Sequence, residues 1–460
     1  MIVITNATIS KGKENETDAC HIVVEGERIK EILPLTSKYP PEAKIVDAKG
    51  LLVLPGTIDP HVHFNTPGFT EREDFETGTR SAAAGGVTTV IDMPDTSIPS
   101  VTDKKNLDVK LSVIEKMAVV DFALWGGVSG NAYRAGTWQK AMQDLRQSGV
   151  VGFKCYLISG MAEFVHLMPL DLIEVMRFAK EIGVLVGLHA EDREMVVSRQ
   201  AQMQTAGRRD PLAYYEARKD PAEENGVRQV MAIARETNAS VHVVHVGSGA
   251  AAAVIAEAKK DGFDVTGETC AHYLEFNNVD FEKLGSVLKT APVVKTRKDN
   301  ELLWDALKLG VLDFFASDHA PCLKKDKETG SIWTDYGGIS GTELLLTYAF
   351  SEGYLKGKFT LARLIEVTSK NAAKRFGLYP RKGEITVGSD ADIVFIDPKK
   401  KWKVIGEKFE SKGKLTPFEG KEFTGKVVRT MVRGQTVYED GKGIVAKAGT
   451  GRWIRVGALF

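Results

Sequence analysis

Between residues 85 and 320 one unit recurs along the chain: an amphipathic helix, a glycine, a short β-branched strand, then a loop of polar and small residues. This pattern restricts the fold more than any other feature. Strands separated by helices lie parallel, and parallel strands need both faces covered. Thr70 to Glu73 has the form of a capping box, which predicts a helix through Arg80 that stops at Gly85-Gly86, with the strand Val87 to Met93 after it. Pro169 suits a first helical turn, Leu170 to Glu181 has helical spacing, and Gly183 precedes the strand Val184 to His189. In the same way the helix from Pro221 to about Glu236 leads to Ser240–Val246, Ala250 to Lys260 leads to Asp264–Glu268, and Asp299 to Leu309 leads to Leu312–Asp318. Val119 to Trp125 and Val151 to Leu157 also read as strands. With Leu51 to Asp59 ahead of them the count is eight, which is what a parallel (β/α)8 barrel requires.

The two ends of the chain differ from its middle. HIVVEGERIKEIL and AKIVDAKGLLVLPG near the start, and GEITVGSDADIVFID and GKVVRTMVRGQTVYEDGKGIV near the end, alternate strands with turns. The expected organisation is a composite β-sandwich domain from residues 1–54 and 381–460 around a catalytic barrel of residues 55–380. The Lys-rich stretch 399–403 reads as a solvated loop. Sixty-one basic residues balance sixty-one acidic ones, which argues against a general nucleic-acid binder. Charged residues at 27 % and hydrophobic ones at 43 % exclude wholesale disorder. No apolar run reaches the ~18 residues of a membrane span, and MIVITNATIS lacks the form of a signal peptide. Cys20, Cys155, Cys270 and Cys322 form no CxxC pair, so neither a disulfide framework nor a thiolate zinc site is expected, and a cytoplasmic location is.

Barrel enzymes carry their reacting groups at the C-terminal ends of the strands. Strand one ends in Asp59-Pro60-His61-Val62-His63, and residues two apart in a strand share a face, so both imidazoles project together as ligands for a divalent metal unless they are unrelated surface histidines. Strand four has a single cation, Lys154, in an apolar run, where burial favours a neutral, nucleophilic amine unless the side chain reaches solvent. Strand five ends at His189. Strand six holds His242 and His245 at opposite parity, and His245, nearer the C-terminal end, is the one expected at the mouth. Strand eight ends in Ser317-Asp318-His319, which places Asp318 as a carboxylate ligand or proton carrier. Glu191 and His319, beside these positions, are expected to support them. Cys155, Cys270 and Cys322 lie near the rim with no paired base and read as buried thiols.

The arrangement resembles the cyclic amidohydrolases: dihydroorotases, hydantoinases, dihydropyrimidinases and allantoinases. The resemblance covers nearly the whole chain through PGTIDPHVHFNTPG, AAAGGVTTVIDMP, GFKCYL, LHAED, HVVHVGS, GETCAHYL, ASDHAPC and GGISGTE, and VVDFALWGG with LTPFEGKEFTGKVVRTMVRGQTVYEDG looks most like allantoinases. It implies two divalent metal ions, zinc first, with manganese, cobalt or nickel as alternatives. His61 and His63 would hold one, His189 and His245 the other, and carboxylated Lys154 would bridge them. Asp318 would complete the first site and act as general base. In dihydroorotases an arginine commonly stands two residues after the HxH motif to pair with the substrate carboxylate. Here Asn65 stands there, which disfavours dihydroorotate; Arg72 reads as a helix-surface residue rather than its replacement. The tyrosine that D-hydantoinases carry five residues after the bridging lysine is Ser159 here. Ala291 and Gly337 are the positions whose backbone would read the ring amide. The expected activity is opening of allantoin to allantoate, with an L-hydantoinase, dihydropyrimidinase-type or dihydroorotase activity as the alternative and an inert scaffold as the remote one. The resemblance also implies a homo-oligomer, dimer or tetramer, and a small cyclic ureide as substrate, while the charge balance and the absence of a long apolar run leave neither nucleic acid nor membrane as an expected partner.

Overall fold

The computed structural model describes residues 1–457. Eight positions around a closed barrel are filled by β1 (Thr57–Val62), β2 (Val87–Asp92), β3 (Asp121–Leu124), β4 (Phe153–Tyr156), β5 (Val186–His189), β6 (Val241–Val243), β7 (Val265–Cys270) and β8 (Phe314–Ala316). Strands β1, β2 and β3 pair in parallel, and β4 to β8 form a second parallel run. The two runs join where β3 continues past Trp125 into Gly126-Gly127, which pair with Phe153 and Lys154. The barrel closes on the other side through a Val62–His319 bridge and a His63 N–H donating to the His319 carbonyl at 2.8 Å.

Several boundaries differ from the sequence reading: the sixth and eighth strands stop at Val243 and Ala316, short of His245 and Asp318, and two other differences change the path of the chain. Leu51–Asp59 is not one strand. Leu52–Pro55 pairs antiparallel with Ile393–Lys403 in another sheet, and the chain enters the barrel only at Thr57. Gly56 makes the passage possible, because a Cβ there would stand 2.0 Å from Thr88 Oγ1. The helix expected from Thr70 begins at Phe75 instead, where Asp74 and Thr77 cap each other's backbone. Glu73 is thereby left in the loop, buried against His319 and Ser411. The helices Lys104–Ile114, Trp138–Ser148, Arg193–Thr205 and Pro211–Arg218 had no counterpart in the sequence reading.

The terminal segments make a nine-stranded sheet that includes Ile2–Ser10, Thr17–Glu25 and Leu52–Pro55 from the start of the chain and Ile393–Lys403, Glu422–Val432 and Gln435–Glu439 from the end. Lys399, Lys400, Lys401 and Lys403 lie on the exposed end of the strand Ile393–Lys403 rather than in a loop, and Lys400 pairs with Asp440 at 2.7 Å. Past this sheet the chain returns to the barrel, where Ile454 N–H donates to the Phe122 carbonyl at 2.7 Å, along the edge of β3.

Trp125 fills the lower half of the barrel. It is fully buried with Ile58, Ile91, Val151, Leu185 and Phe314, and Phe376 packs edge-on against it at 5.3 Å. Gly152 and Gly187 give it room, since a Cβ at either would stand 2.8 or 2.9 Å from the indole ring. Truncating a buried ring of this size costs about 3–5 kcal/mol. The apolar plug separates the polar side chains at the upper end of the barrel from those below it. Beneath the plug, Asp121 at the start of β3 meets Asp390 and Asp392. The Lys382 amine lies 2.8 Å from Asp121 and also bonds Asp392, and Arg433 bonds Asp121, so this acidic cluster already contains its own cations.

Candidate metal centre

The upper end of the barrel gathers side chains from five strands. His61, in β1, and His63, one residue past it, face the same way, with Nε2 atoms 3.2 Å apart. Asp318, two residues beyond β8, places Oδ1 3.3 Å from each of those nitrogens. The last residue of β5, His189, puts Nδ1 3.0 Å from Nε2 of His245, two residues beyond β6. The His61 and His245 rings are 5.3 Å apart, so the two groups adjoin. Lys154, from β4, is fully buried and its amine has no hydrogen-bond partner. Both His245 and Asp318 have positive φ (40° and 47°), a conformation that non-glycine residues adopt at a cost. The strands end there in order to aim those two side chains inward.

The protonation of the cluster follows from its neighbours. His61 Nδ1 lies 2.6 Å from Glu268 Oε1, so the ring donates from Nδ1 and its Nε2 keeps a lone pair. Nδ1 of His63 is 3.3 Å from Thr96 Oγ1 and 3.6 Å from Asp95, which turns its Nε2 lone pair toward the same point. Burial lowers the pKa of His61 despite Asp318 and Glu268, and burial with His189 beside it takes His245 well below the usual value. His63 is the exception: burial opposes its charged form, but Asp95 and Asp318 outweigh it and raise its pKa. For Asp318, burial is overcome by His61, His63 and His245, which hold the carboxyl well below its ordinary value. Two imidazole nitrogens and a carboxylate oxygen converging within 3.3 Å match the donor set of a divalent cation. The unpartnered Lys154 amine fits the same conclusion. Burial lowers its pKa against the pull of Asp95, Asp318 and Glu268, which favours a neutral nitrogen.

The surroundings hold these groups in place. Glu191 Oε2 lies 3.0 Å from His189 Nε2 and also accepts from Arg218. His319 turns away from the cluster, with Nε2 3.2 Å from Glu73 and Nδ1 accepting from the Gly341 and Thr342 amides. His242 sits lower, between Thr266 and Glu268. Burial raises the Cys155 thiol to about 12 and Cys270 well above its ordinary value, so neither is a nucleophile.

A cavity of about 430 Å³ opens over His63, His189, His245 and Asp318. Ser159, Ala291 and Gly337 line it, but Asn65 does not. Asn65 lies buried under the loop at φ 55°, with neither polar side-chain atom partnered. Arg72 is not on a helix; its guanidinium sits 4.5 Å over the ring of Tyr336, which lines the cavity. Sequence reasoning missed Glu268, whose carboxylate is shared by His61 and His242. Its signal was of the same kind as that of Lys154: a lone charge in a strand covered on both faces. It also missed Tyr156, whose hydroxyl donates to Asp95 at 3.0 Å and whose ring stacks on His189 at 5.2 Å. Tyr214, Arg218 and Lys289 complete another part of the wall, and nothing in their spacing announces it.

Comparison with known proteins places this geometry among relatives. The family model described as the amidohydrolase family matches residues 52–437. An allantoinase of Rubrobacter xylanophilus is 39 % identical over 412 residues, covering 89 % of this chain and 88 % of the relative. An L-hydantoinase of Paenarthrobacter aurescens is 34 % identical over 418 residues, covering 90 % and 89 %. Among solved structures, an L-hydantoinase (dihydropyrimidinase) from Arthrobacter aurescens superposes with a TM-score of 0.93 at 30 % identity, covering 99 % of each chain.

Proposed function

Because this chain belongs to the amidohydrolase family and is a hydrolase of carbon–nitrogen bonds in cyclic amides, we propose that it opens the hydantoin ring of allantoin to give allantoate. The reading rests on the convergence of His61, His63, Lys154, His189, His245 and Asp318 at one mouth, together with the allantoinases among its relatives at 31–39 % identity. His61, His63 and Asp318 would hold one divalent ion and His189 with His245 a second. Zinc suits imidazole and carboxylate ligands, as do manganese, cobalt and nickel. The Lys154 amine would add to the carbon of carbon dioxide and lose a proton to water, which yields a carbamate, an anionic ligand for such ions. That step replaces a costly buried amine with an anion beside two dications. When bound, such a pair of ions polarises the ring carbonyl and lowers the pKa of water from about 15.7 to about 7.

The protein's own groups then carry the protons. Asp318 is held ionised by the histidines around it, so it takes the proton of the attacking water and returns it to the leaving ring nitrogen. Glu268 keeps the His61 ring oriented throughout, and Glu191 does the same for His189. Backbone groups at Ala291 and Gly337 and the Ser159 side chain border the space in which the ring amide would lie. The L-hydantoinase relative at 34 % identity supports a second reading, hydrolysis of other 5-substituted hydantoins. Metal-loaded protein assayed side by side on allantoin, hydantoin, 5-substituted hydantoins, dihydrouracil and dihydroorotate tests the choice. Allantoin is expected to show the highest kcat/KM, and a higher value on any other ring overturns it.

A further inference from the structure

One stretch of the cavity wall is cationic and is not used by the hydrolytic step. Lys289 follows the 3-10 turn Gly285–Leu288, and its stem lies along Gly337: a Cβ built there would stand 3.9 Å from the lysine Cγ and 4.0 Å from Cε. The amine sits 4.9 Å from the centre of the Tyr214 ring, and the Arg218 guanidinium lies 5.1 Å from the centre of the same ring. Arg218 in turn bonds Glu191, which holds His189, so this wall is tied to the metal centre through one carboxylate.

The two cations are not equivalent. Arg218 has Glu191 as counter-ion, although its Nε has no partner. Lys289 makes no ion pair among the described residues. Its one hydrogen bond goes to the Asp335 carbonyl at 2.5 Å, while the Asp335 carboxylate is occupied by Ser286 and Thr329. An ammonium has three donors, so two are left for something else. Keeping a 5 %-exposed lysine without a counter-ion is destabilising, and burial with Arg218 nearby depresses its pKa to about 8. A group held at that cost beside a ligand cavity is arranged to meet a ligand acceptor.

We propose that Lys289, with Arg218 across the Tyr214 ring, reads the carbamoylamino substituent of the substrate, so that the cavity selects cyclic ureides whose side chain accepts hydrogen bonds over those whose side chain is apolar. This rests on the allantoin reading and sharpens it: the metal centre acts on the ring, and the cationic wall identifies what the ring carries. A urea carbonyl oxygen would take the free ammonium donors in charge-assisted bonds. A site built to pair such a group discriminates strongly against a ligand that leaves it unpaired.

The test is a ratio, kcat/KM for allantoin over kcat/KM for unsubstituted hydantoin, measured on metal-loaded wild type and on Lys289→Met and Lys289→Gln. The ratio is independent of the fraction of protein that is correctly folded. Both variants are expected to lower it tenfold or more, while the corresponding ratio for 5-benzylhydantoin does not fall. A ratio for allantoin unchanged within about twofold overturns the proposal, and so does an equal fall for 5-benzylhydantoin. If the wild type opens hydantoin but not allantoin, it is the allantoin reading that fails. Lys289 is then tested with hydantoin-5-acetic acid, whose carboxylate is the alternative acceptor: a tenfold fall of that ratio supports the reading role, and no fall overturns it.

Discussion

Replacing Glu268 separates a metal centre from a chance cluster of histidines. Its carboxylate is fully buried and takes hydrogen bonds from His61 Nδ1 at 2.6 Å, His242 Nε2 at 3.1 Å and the His245 amide at 3.3 Å. Burial would raise its pKa, but His61 and His242 hold it at about 2, so it is an anion at any working pH. Glu268→Ala leaves two imidazole N–H groups and one amide unpaired in the barrel interior. At about 1–3 kcal/mol each, that loss is a large part of a domain's stability. Glu268→Gln is the informative variant. Its amide oxygen can still accept from His61, and its NH2 can donate to His242 if that ring turns its Nδ1 proton toward Thr266 Oγ1, 3.1 Å away. The fold should therefore survive, with a loss of about 1 kcal/mol for each charge-assisted bond made neutral. What goes is the anion that keeps the His61 Nε2 lone pair basic, and exchanging such a partner typically weakens metal binding about 10–100-fold. Titrating metal-free Glu268→Gln against a competing chelator measures this, with circular dichroism as the check on folding. A folded variant that binds metal as tightly as wild type refutes the role given to Glu268.

Three further outcomes follow from the same geometry. Lys154→Ala should lose metal and activity together and regain part of both when small carboxylic acids are supplied in place of the carbamate; full activity without them rules out the bridge. Asp318→Asn should lower kcat about 10²–10⁴-fold, the range of a positioned proton carrier, with a much smaller change in KM, and near-wild-type turnover removes Asp318 from that role. Glu343 is buried where Ser81 Oγ and the Glu410 amide each donate to it at 3.0 Å, and burial raises its pKa from 4.5 to about 8. The folded state thus holds this proton longer than the unfolded chain does, so its contribution is complete below pH ~4.5 and is lost as pH rises toward ~8, by at most about 5 kcal/mol. Glu343→Gln should flatten the fall in Tm between pH 5 and pH 8.5, and an unaltered slope would dismiss Glu343 as its source.

The sequence shows which strands form and which of their charged residues stand out, because both faces of a barrel strand are covered. In β4 an apolar run broken by one lysine is visible in the letters, and so is the shared parity of His61 and His63. The same logic would have marked Glu268 in β7, but the polar neighbours Thr266 and Thr269 disguise that strand's burial. The boundary at Gly56 was hidden because Leu51 to Ile58 is apolar except for Thr57, and only the Thr88 side chain packed against Gly56 shows where one sheet gives way to the next. At residues 70–74 two overlapping capping patterns compete, and the second prevails because Glu73 is drawn into the barrel wall by His319 and Ser411. The cationic wall was illegible for a different reason. Tyr214 and Arg218 come from one helix and Lys289 from a loop more than seventy residues later, and only the packing around the Tyr214 ring relates them.

The account stands on six side chains gripping two cations, and anomalous diffraction from crystals of metal-loaded protein tests that directly. Two peaks are predicted at the barrel mouth, one among His61 Nε2, His63 Nε2 and Asp318, the other beside His189 Nδ1 and His245 Nε2, with the density of Lys154 extended by a carboxylate between them. A single peak, none, or a peak confined to Asp121, Asp390 and Asp392, where the Lys382 amine already lies, would contradict it.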